Sequence, residues 1–150
     1  MNSFKEKVHQ SCLALAFEKR NQITEAIERV YESLSAEGKS TAGDKHETGR
    51  AMLQLEREKL GMQLKNIEET CAILQKLDAS QKHSKIVLGS YIKTERMNYY
   101  LSVSMGQYTV ENETVFAISP QSPIGRLLLG KTVNGVVSFN GKNQTIVEVS

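Results

Sequence analysis

The chain has 150 residues, 39% of them hydrophobic and 24% charged, with a formal net charge of +2. This length suits one ordinary domain or two small ones, and the composition is typical of a water-soluble protein. The small net charge excludes an argument for nucleic-acid binding from bulk electrostatics. The sequence contains neither a signal-peptide pattern nor an apolar run that could cross a membrane, so we expect a cytoplasmic protein.

The composition changes near Ser80. Residues 1–80 are rich in Glu, Lys, Leu and Ala and contain no proline, whereas residues 81–150 hold both prolines, most of the tyrosines and many β-branched residues. We therefore predict two domains, a helical one over residues 1–80 and a β-rich one over residues 81–150.

Residues 1–80 show the periodicity of two long helices. Apolar residues recur every three or four positions from Phe4 to about Ser35, and a second run from Leu53 to Leu74 follows a heptad-like seam. The intervening segment 37–43 contains two glycines and small polar residues, which permit a tight reversal. The pattern predicts an antiparallel coiled-coil hairpin whose arms are each about 45 Å long.

Cys12 and Cys71 fall at apolar positions of the two predicted helices. Because cytosolic proteins seldom keep disulfides, we expect two reduced, buried cysteines, with a disulfide as the alternative. The three histidines are scattered and offer no zinc-ligand spacing.

The segment from Gly43 to Glu47 begins the second helix and has two interpretations. An Asp at the N-cap with a Glu three residues later is a capping-box pattern. In this pattern, side-chain oxygens accept hydrogen bonds from the backbone N–H groups that have no partner within the first turn of the helix. Asp44 and Glu47 are alternatively two exposed carboxylates at the hairpin tip, able to hold a hard divalent cation together with ligands from a partner. Spacing alone does not decide between these roles.

After a polar connector over residues 78–85, short β-branched and aromatic runs predict a five- or six-stranded, mainly antiparallel sheet. The runs are Ile86–Leu88, Tyr91–Ile92, Tyr99–Val103, Thr114–Ile118, Val136–Phe139 and Thr145–Val149. Between them, Ser122 at an N-cap, Pro123 at the first helical position and Gly130 just past the end predict one short helix that covers a sheet face. The second half is therefore predicted to be α+β.

The segment Ser122–Lys131, followed by Gly135-Val136-Val137, resembles the C-terminal signature of the bacterial GreA/GreB transcript-cleavage factors. The tip pattern Gly43-Asp44-x-x-Glu47 is similar to that family's Gly-Asp-x-x-Glu, and the order of hairpin and sheet agrees as well. The resemblance spans nearly the whole chain and is most specific over residues 86–139.

The resemblance implies an FKBP-like C-terminal domain that docks on bacterial RNA polymerase through Ser122, Pro123, Ile124, Gly125 and Arg126, while the hairpin enters the secondary channel. Asp44 and Glu47 would then hold a second Mg²⁺ jointly with the polymerase, and the polymerase would cleave backtracked RNA near its 3′ end. The protein would be an accessory factor, not an enzyme by itself. We expect a monomer, because dimerisation through the hairpin would obstruct its insertion.

The chain departs from the family pattern after the acidic pair, where it has Thr48, Gly49 and Arg50. Arg50 could pair with a tip carboxylate, so a related regulator that modulates or inhibits polymerase without cleavage is the nearest alternative. The basic residues near the tip are interpreted either as a solvated helix face or as contacts to the nascent RNA 3′ end; they include Lys39, Lys45, Arg50 and Arg57.

Two further functional classes remain open from sequence. Peptidyl-prolyl isomerase activity would follow from the FKBP-like fold, but the chain has no Trp and its four Phe are dispersed. A structural coiled-coil adaptor would explain the helices and would leave the segment Ser122–Lys131 unexplained.

Overall fold

The computed structural model describes residues 3–38 and 44–150, without the side chains of residues 37, 38 and 44–47. Two long helices come first and a six-stranded sheet with one short helix follows, which confirms the predicted α+β class. The elements are α1 Phe4–Gly38, α2 Asp44–Lys76, β1 Tyr91–Thr94, β2 Asn98–Leu101, β3 Gly106–Val110, β4 Glu113–Ile118, α3 Pro123–Leu128, β5 Val136–Phe139 and β6 Lys142–Val149.

The chain divides into two compact units. Residues 1–15 and 72–150 form the sheet unit, and residues 16–71 form the helical unit. The start of α1 and the end of α2 therefore belong with the sheet. A boundary at residue 80 between independently folding domains stays a prediction.

The helical unit is held together along a narrow apolar seam. Its buried residues include Ile23 and Val30 on α1 and Leu60 and Ile67 on α2. The seven-residue spacing within each pair is the heptad spacing of a coiled coil. Beside the seam, the Arg57 guanidinium of α2 lies 4.6 Å from the ring centroid of Tyr31 on α1. The two predicted helices are confirmed. The reversal was predicted over residues 37–43, but residues 37 and 38 are still part of α1, and residues 39–43 lie outside the described residues.

The sheet has the strand order β3-β4-β2-β1-β6-β5. Neighbouring strands are antiparallel except β2 and β4, which are parallel. The β3–β4 turn has positive φ at Glu111 and Asn112 (49° and 68°), and the β5–β6 turn has it at Asn140 and Gly141 (53° and 75°). Two consecutive positive φ angles mark the hairpin turns whose twist matches that of the strands.

Strand β3 was not predicted, and the predicted run at Ile86–Leu88 is wrong as a strand. Ile86 is fully buried, and its backbone N–H donates to the Lys131 carbonyl while its own carbonyl accepts from Gly130. Its apolar character therefore reflects burial beside the end of α3 and not membership of the sheet.

One sheet face packs on α3 and forms the main core of the sheet unit. Ile124 and Leu128 of α3 join Ile92, Leu101 and Ile146 of the strands in one buried cluster. This arrangement confirms the prediction that the short helix covers a sheet face.

The other sheet face is tyrosine-rich and packs on the first turns of α1, a contact that the sequence did not predict. Tyr108 donates its hydroxyl to the Val8 carbonyl at 3.0 Å, and the Tyr91 ring meets the Phe4 ring edge-on with 5.4 Å between centroids. Lys5, which is almost fully buried, donates to the Gln81 carbonyl at 2.6 Å. These bonds satisfy polar groups that would be costly to bury unpaired.

His9 and Tyr100 also make a polar contact on this face, with 2.6 Å between His9 Nδ1 and the Tyr100 hydroxyl oxygen. Burial and, to a smaller extent, the nearby Lys5 lower the His9 pKa, while burial raises the Tyr100 pKa. The neutral form of the imidazole is therefore favoured, in which one ring nitrogen donates a hydrogen bond and the other accepts one.

Both cysteines are free and buried, as expected. Burial raises the pKa of the Cys12 thiol to about 11. Because the thiolate is the reactive form, Cys12 is kept unreactive at neutral pH.

The adjacent leucines of α3 provide a matched test of this core. Leu128 is fully buried whereas Leu127 is 39% exposed. We expect Leu128→Ala to lower the free energy of unfolding by about 2–5 kcal/mol, and Leu127→Ala to change it by less than about 0.5 kcal/mol. Urea unfolding followed by tyrosine fluorescence measures this, because four of the five tyrosines lie in the sheet unit. Equal losses for the two variants would contradict the assigned packing.

Candidate functional site

The segment that carries the family resemblance folds as the capped six-residue helix α3 with its flanks. Ser122 has extended φ and ψ, its hydroxyl oxygen accepts from the Gly125 N–H at 3.1 Å, and Pro123 occupies the first turn. The same hydroxyl donates to the Ser119 carbonyl at 2.7 Å. One serine therefore both starts the helix and ties it to the end of the preceding strand, β4.

Gly125 is required by a close backbone contact. A Cβ added to this residue would overlap the Ser119 carbonyl oxygen and would also crowd the Ser122 hydroxyl at 2.9 Å. The glycine thus lets the helix approach the chain that follows β4. Its contribution is steric, and its backbone carbonyl also accepts from the Leu129 N–H at 3.0 Å.

The five predicted docking residues separate into two groups in the structure. Ile124 and Gly125 are buried and Ser122 is half-buried, so these three position the helix. Pro123 and Arg126 are exposed and available to a partner. Docking itself stays a prediction for all five.

An apolar surface lies on the segments around Arg126. Leu127 and Leu129 are exposed at the end of α3, and Val87 and Leu88 are exposed on the segment that bonds to residues 130 and 131. Exposed apolar side chains on adjoining segments are typical of protein interaction sites. A single arginine among them could fix the orientation of a partner.

The acidic tip falls where α2 begins. The backbone of α2 starts at Asp44, which places positions 44 and 47 in its first turn. The side chains of Asp44, Lys45 and Glu47, together with all of Lys39, lie outside the described residues. Within the described part of the chain, no three His, Cys, Asp or Glu residues are grouped to hold a metal ion.

The two remaining basic residues proposed for RNA contact have different surroundings. Arg50 is exposed on α2. The Arg57 guanidinium lies over the Tyr31 ring, so it already makes a cation–π contact within the helical unit. Arg57 therefore has a structural role, whether or not it also meets nucleic acid.

A pocket of about 560 Å³ opens at the end of the sheet beside the β1–β2 and β5–β6 turns. Phe139 is its one aromatic lining residue, and Met97, Glu95, Arg96 and Lys142 are among the others. Charged side chains at the mouth and a single ring do not form the aromatic enclosure that a proline ring would need. This pocket gives no support to the isomerase alternative.

Comparison with known proteins leaves the family open. No protein-family model matches the chain, and no curated protein matches it. Among solved structures, the chain is similar to one described as "Structure of the transcription factor Gfh1", at 19% identity and a TM-score of 0.34, over 87% of this chain and 92% of that one. A likeness at this level carries no argument about function. Among the helices of the described residues, none has the length and apolarity needed to cross a membrane.

Two glycine substitutions test the steric role of Gly125. We expect Gly125→Ala to displace α3 and to lower the free energy of unfolding by about 1–3 kcal/mol. Gly61 on α2 has no atom within 4 Å of an added Cβ, so we expect Gly61→Ala to stabilise its helix by up to about 1 kcal/mol. Urea unfolding followed by tyrosine fluorescence and circular dichroism distinguishes the two. Gly125→Ala would contradict the assigned contact if it unfolded like the wild type.

Proposed function

We propose that this protein is a Gre-type transcription elongation factor that binds bacterial RNA polymerase and stimulates the polymerase's own cleavage of backtracked RNA. It acts as an accessory factor, and the polymerase supplies the active site. The observation that carries this proposal is the segment Ser122–Lys131. Its resemblance to the Gre signature accompanies a folded helix that presents Pro123 and Arg126 at the surface.

The order of elements supports the same proposal. Helices of 35 and 33 residues precede the sheet, and at 1.5 Å per residue each is about 50 Å long. Such a pair of helices provides the reach that a channel-entering factor needs. The sheet unit then provides the surface for docking on the rim of the channel.

Asp44 and Glu47 are the residues that would hold Mg²⁺ in the complex. Because α2 begins at Asp44, the two positions fall in its first turn, where residues three apart are neighbours. Carboxylate oxygens are the donors that Mg²⁺ prefers, and two of them leave the remaining positions for polymerase, RNA and water. When bound, the ion would supply a Lewis acid that lowers the pKa of a coordinated water.

The chain's own residues then have three tasks. The surface around Arg126 docks on the polymerase, the paired helices carry the tip, and the tip carboxylates bring negative charge to the catalytic centre. The N-terminal end of a helix favours that negative charge through its dipole. Capping and cation binding are compatible, since a carboxylate has two oxygens.

A modulator that binds without cleavage is the second candidate, and residues 48–50 favour it. Gly49 costs roughly 1 kcal/mol of helix stability relative to alanine in this turn. Arg50 is an exposed cation three residues after Glu47. A guanidinium paired with a tip carboxylate would take up the charge that an ion needs.

The two candidates differ in what happens to the RNA. Added to backtracked elongation complexes with Mg²⁺, the wild-type protein should shorten the transcript faster than polymerase alone. We expect Asp44→Asn and Glu47→Gln to return cleavage to the rate of polymerase alone while binding is retained. Glu56→Gln, at an exposed position of the same helix, should leave cleavage unchanged. Binding of the wild type without shortening would establish the modulator, and absence of binding would reject the Gre assignment.

Docking is tested by charge reversal on the sheet unit. We expect Arg126→Glu to weaken the affinity for polymerase by about tenfold, or about 1.4 kcal/mol. Lys142→Glu makes the same charge change at an exposed position of β6 and should have little effect. Titration of labelled protein with polymerase measures both, with unfolding curves as a check on the fold. Equal affinities for the two variants would argue against docking through α3.

A further inference from the structure

Tyr91 is the one described residue whose buried side-chain polar atom has no partner. It is only 3% exposed, and its hydroxyl oxygen makes no hydrogen bond with the described residues. The other sheet tyrosines all have partners: Tyr99 bonds to Gln144, Tyr100 to His9 and Tyr108 to Val8. A buried hydroxyl without a partner is costly, so a group from outside the described residues that completes its hydrogen bond is favoured.

The Tyr91 side chain lines an open pocket of about 260 Å³. The pocket lies between the first turn of α1, strands β1 and β6, and the β3–β4 turn. The other lining residues are Phe4, Lys93, Glu111, Glu113 and Glu148. Burial raises the Tyr91 pKa, and the charges of Glu113 and Glu148 raise it further. The hydroxyl is therefore close enough to these two carboxylates to feel their charge, and both of them line the pocket.

The pocket carries an excess of negative charge. Lys93 pairs with Glu113 at 3.9 Å, and Lys7 of α1 pairs with Glu111 at 2.5 Å. Glu148 makes no ion pair with the residues that the structure describes. It lies directly opposite Lys93 across the β1–β6 register, so one ammonium group faces both Glu113 and Glu148. The four paired side chains are 41–55% exposed and can rearrange.

We propose that this pocket binds the guanidinium group of an arginine side chain presented by a partner polypeptide. The acceptors on its lining residues are the buried Tyr91 hydroxyl oxygen and the more exposed Glu113 and Glu148 carboxylates. A guanidinium has five N–H donors in a planar fork and can serve all three, whereas an ammonium group is a compact point charge with three donors. The half-buried Phe4 ring adds a face on which a guanidinium stacks better than a strongly hydrated ammonium.

An arginine within a polypeptide differs from free arginine in its flanking groups. Free arginine brings an α-carboxylate, which Glu113 and Glu148 repel, and an α-ammonium, which they attract, whereas the peptide units beside an arginine residue are neutral and leave the guanidinium as the one charged group. This inference is independent of the proposed function, because it concerns the sheet unit and requires neither polymerase nor the hairpin tip.

Titration of the full-length protein followed by amide and side-chain NMR shifts tests the proposal. The probes are N-acetyl-arginine methylamide, its lysine counterpart, the uncharged citrulline counterpart and free L-arginine. We expect saturable shifts at Phe4, Tyr91 and Glu148 with the blocked arginine. The lysine probe should bind more weakly, citrulline should not bind, added salt should weaken binding, and free arginine should bind no more tightly than the blocked form.

Variants separate the hydroxyl from the charge. We expect Tyr91→Phe and Glu148→Gln each to weaken binding by about tenfold, or about 1.4 kcal/mol. Lys93→Gln removes the competing ammonium and should tighten binding. Glu69→Gln, at an exposed position of α2, is the matched control and should bind like the wild type. Unfolding curves and NMR spectra of each variant check that the sheet unit remains folded.

Four outcomes would overturn the proposal. They are the absence of saturable shifts, binding of citrulline as tight as that of arginine, equal binding of the lysine probe, and wild-type affinity in folded Tyr91→Phe and Glu148→Gln. Tighter binding of free arginine than of the blocked form would reject the polypeptide source. None of these results depends on whether the protein binds polymerase.

Discussion

The sheet unit depends on the cover that the first turns of α1 give to its tyrosine face. A strand alternates its side chains between two faces, so a sheet of six strands exposes two surfaces that need separate partners. The six-residue helix α3 packs on one of them. On the other, Tyr100 and Tyr108 bury rings whose hydroxyls need hydrogen-bond partners. The neighbouring α1 provides both, through the Val8 carbonyl and the His9 imidazole.

The start of α1 meets that need with backbone and side chain together. The Val8 carbonyl accepts from Tyr108, and the His9 ring shares a hydrogen bond with the Tyr100 hydroxyl. Burial, with a smaller contribution from Lys5, lowers the His9 pKa and so favours its neutral form near neutral pH. The helix that begins the hairpin is thus also a structural part of the sheet unit, which explains why residues 1–15 group with residues 72–150.

The sequence predicted the helices and most strands better than it predicted which of these elements contact each other. Helical periodicity identified α1 and α2, and cap and stop signals identified α3, because these patterns are local. Strand β3 was not predicted, although Glu111-Asn112 lies between the β-branched pairs Thr109-Val110 and Thr114-Val115. The run at Ile86–Leu88 was mistaken for a strand because a short apolar run reports burial and not backbone conformation. The packing of α1 on the tyrosine-rich sheet face could not be predicted from the sequence, because the contacting residues lie about 100 positions apart in the chain.

The candidate site shows the same division between local and distant information. The serine cap and the proline of α3 could be read from spacing, but the overlap of a Gly125 Cβ with the Ser119 carbonyl appears only in three dimensions. Likewise, Tyr91 resembles the other sheet tyrosines in sequence. Its unpartnered hydroxyl and the acidic pocket beside it depend on the register of β1 and β6 and on the position of Phe4.

The signature segment combines residues that form the fold with residues that can meet a partner, and the distinction bears on function. Ile124, Gly125 and Leu128 face the core or a backbone carbonyl, so any protein with this helix-on-sheet packing would need similar residues there. Pro123 and Arg126 are exposed, so the packing of the helix on the sheet does not require these two residues. The resemblance at the buried positions therefore supports the fold. The case for polymerase binding depends on Arg126 and the exposed apolar residues near it. The case for cleavage depends on Asp44 and Glu47.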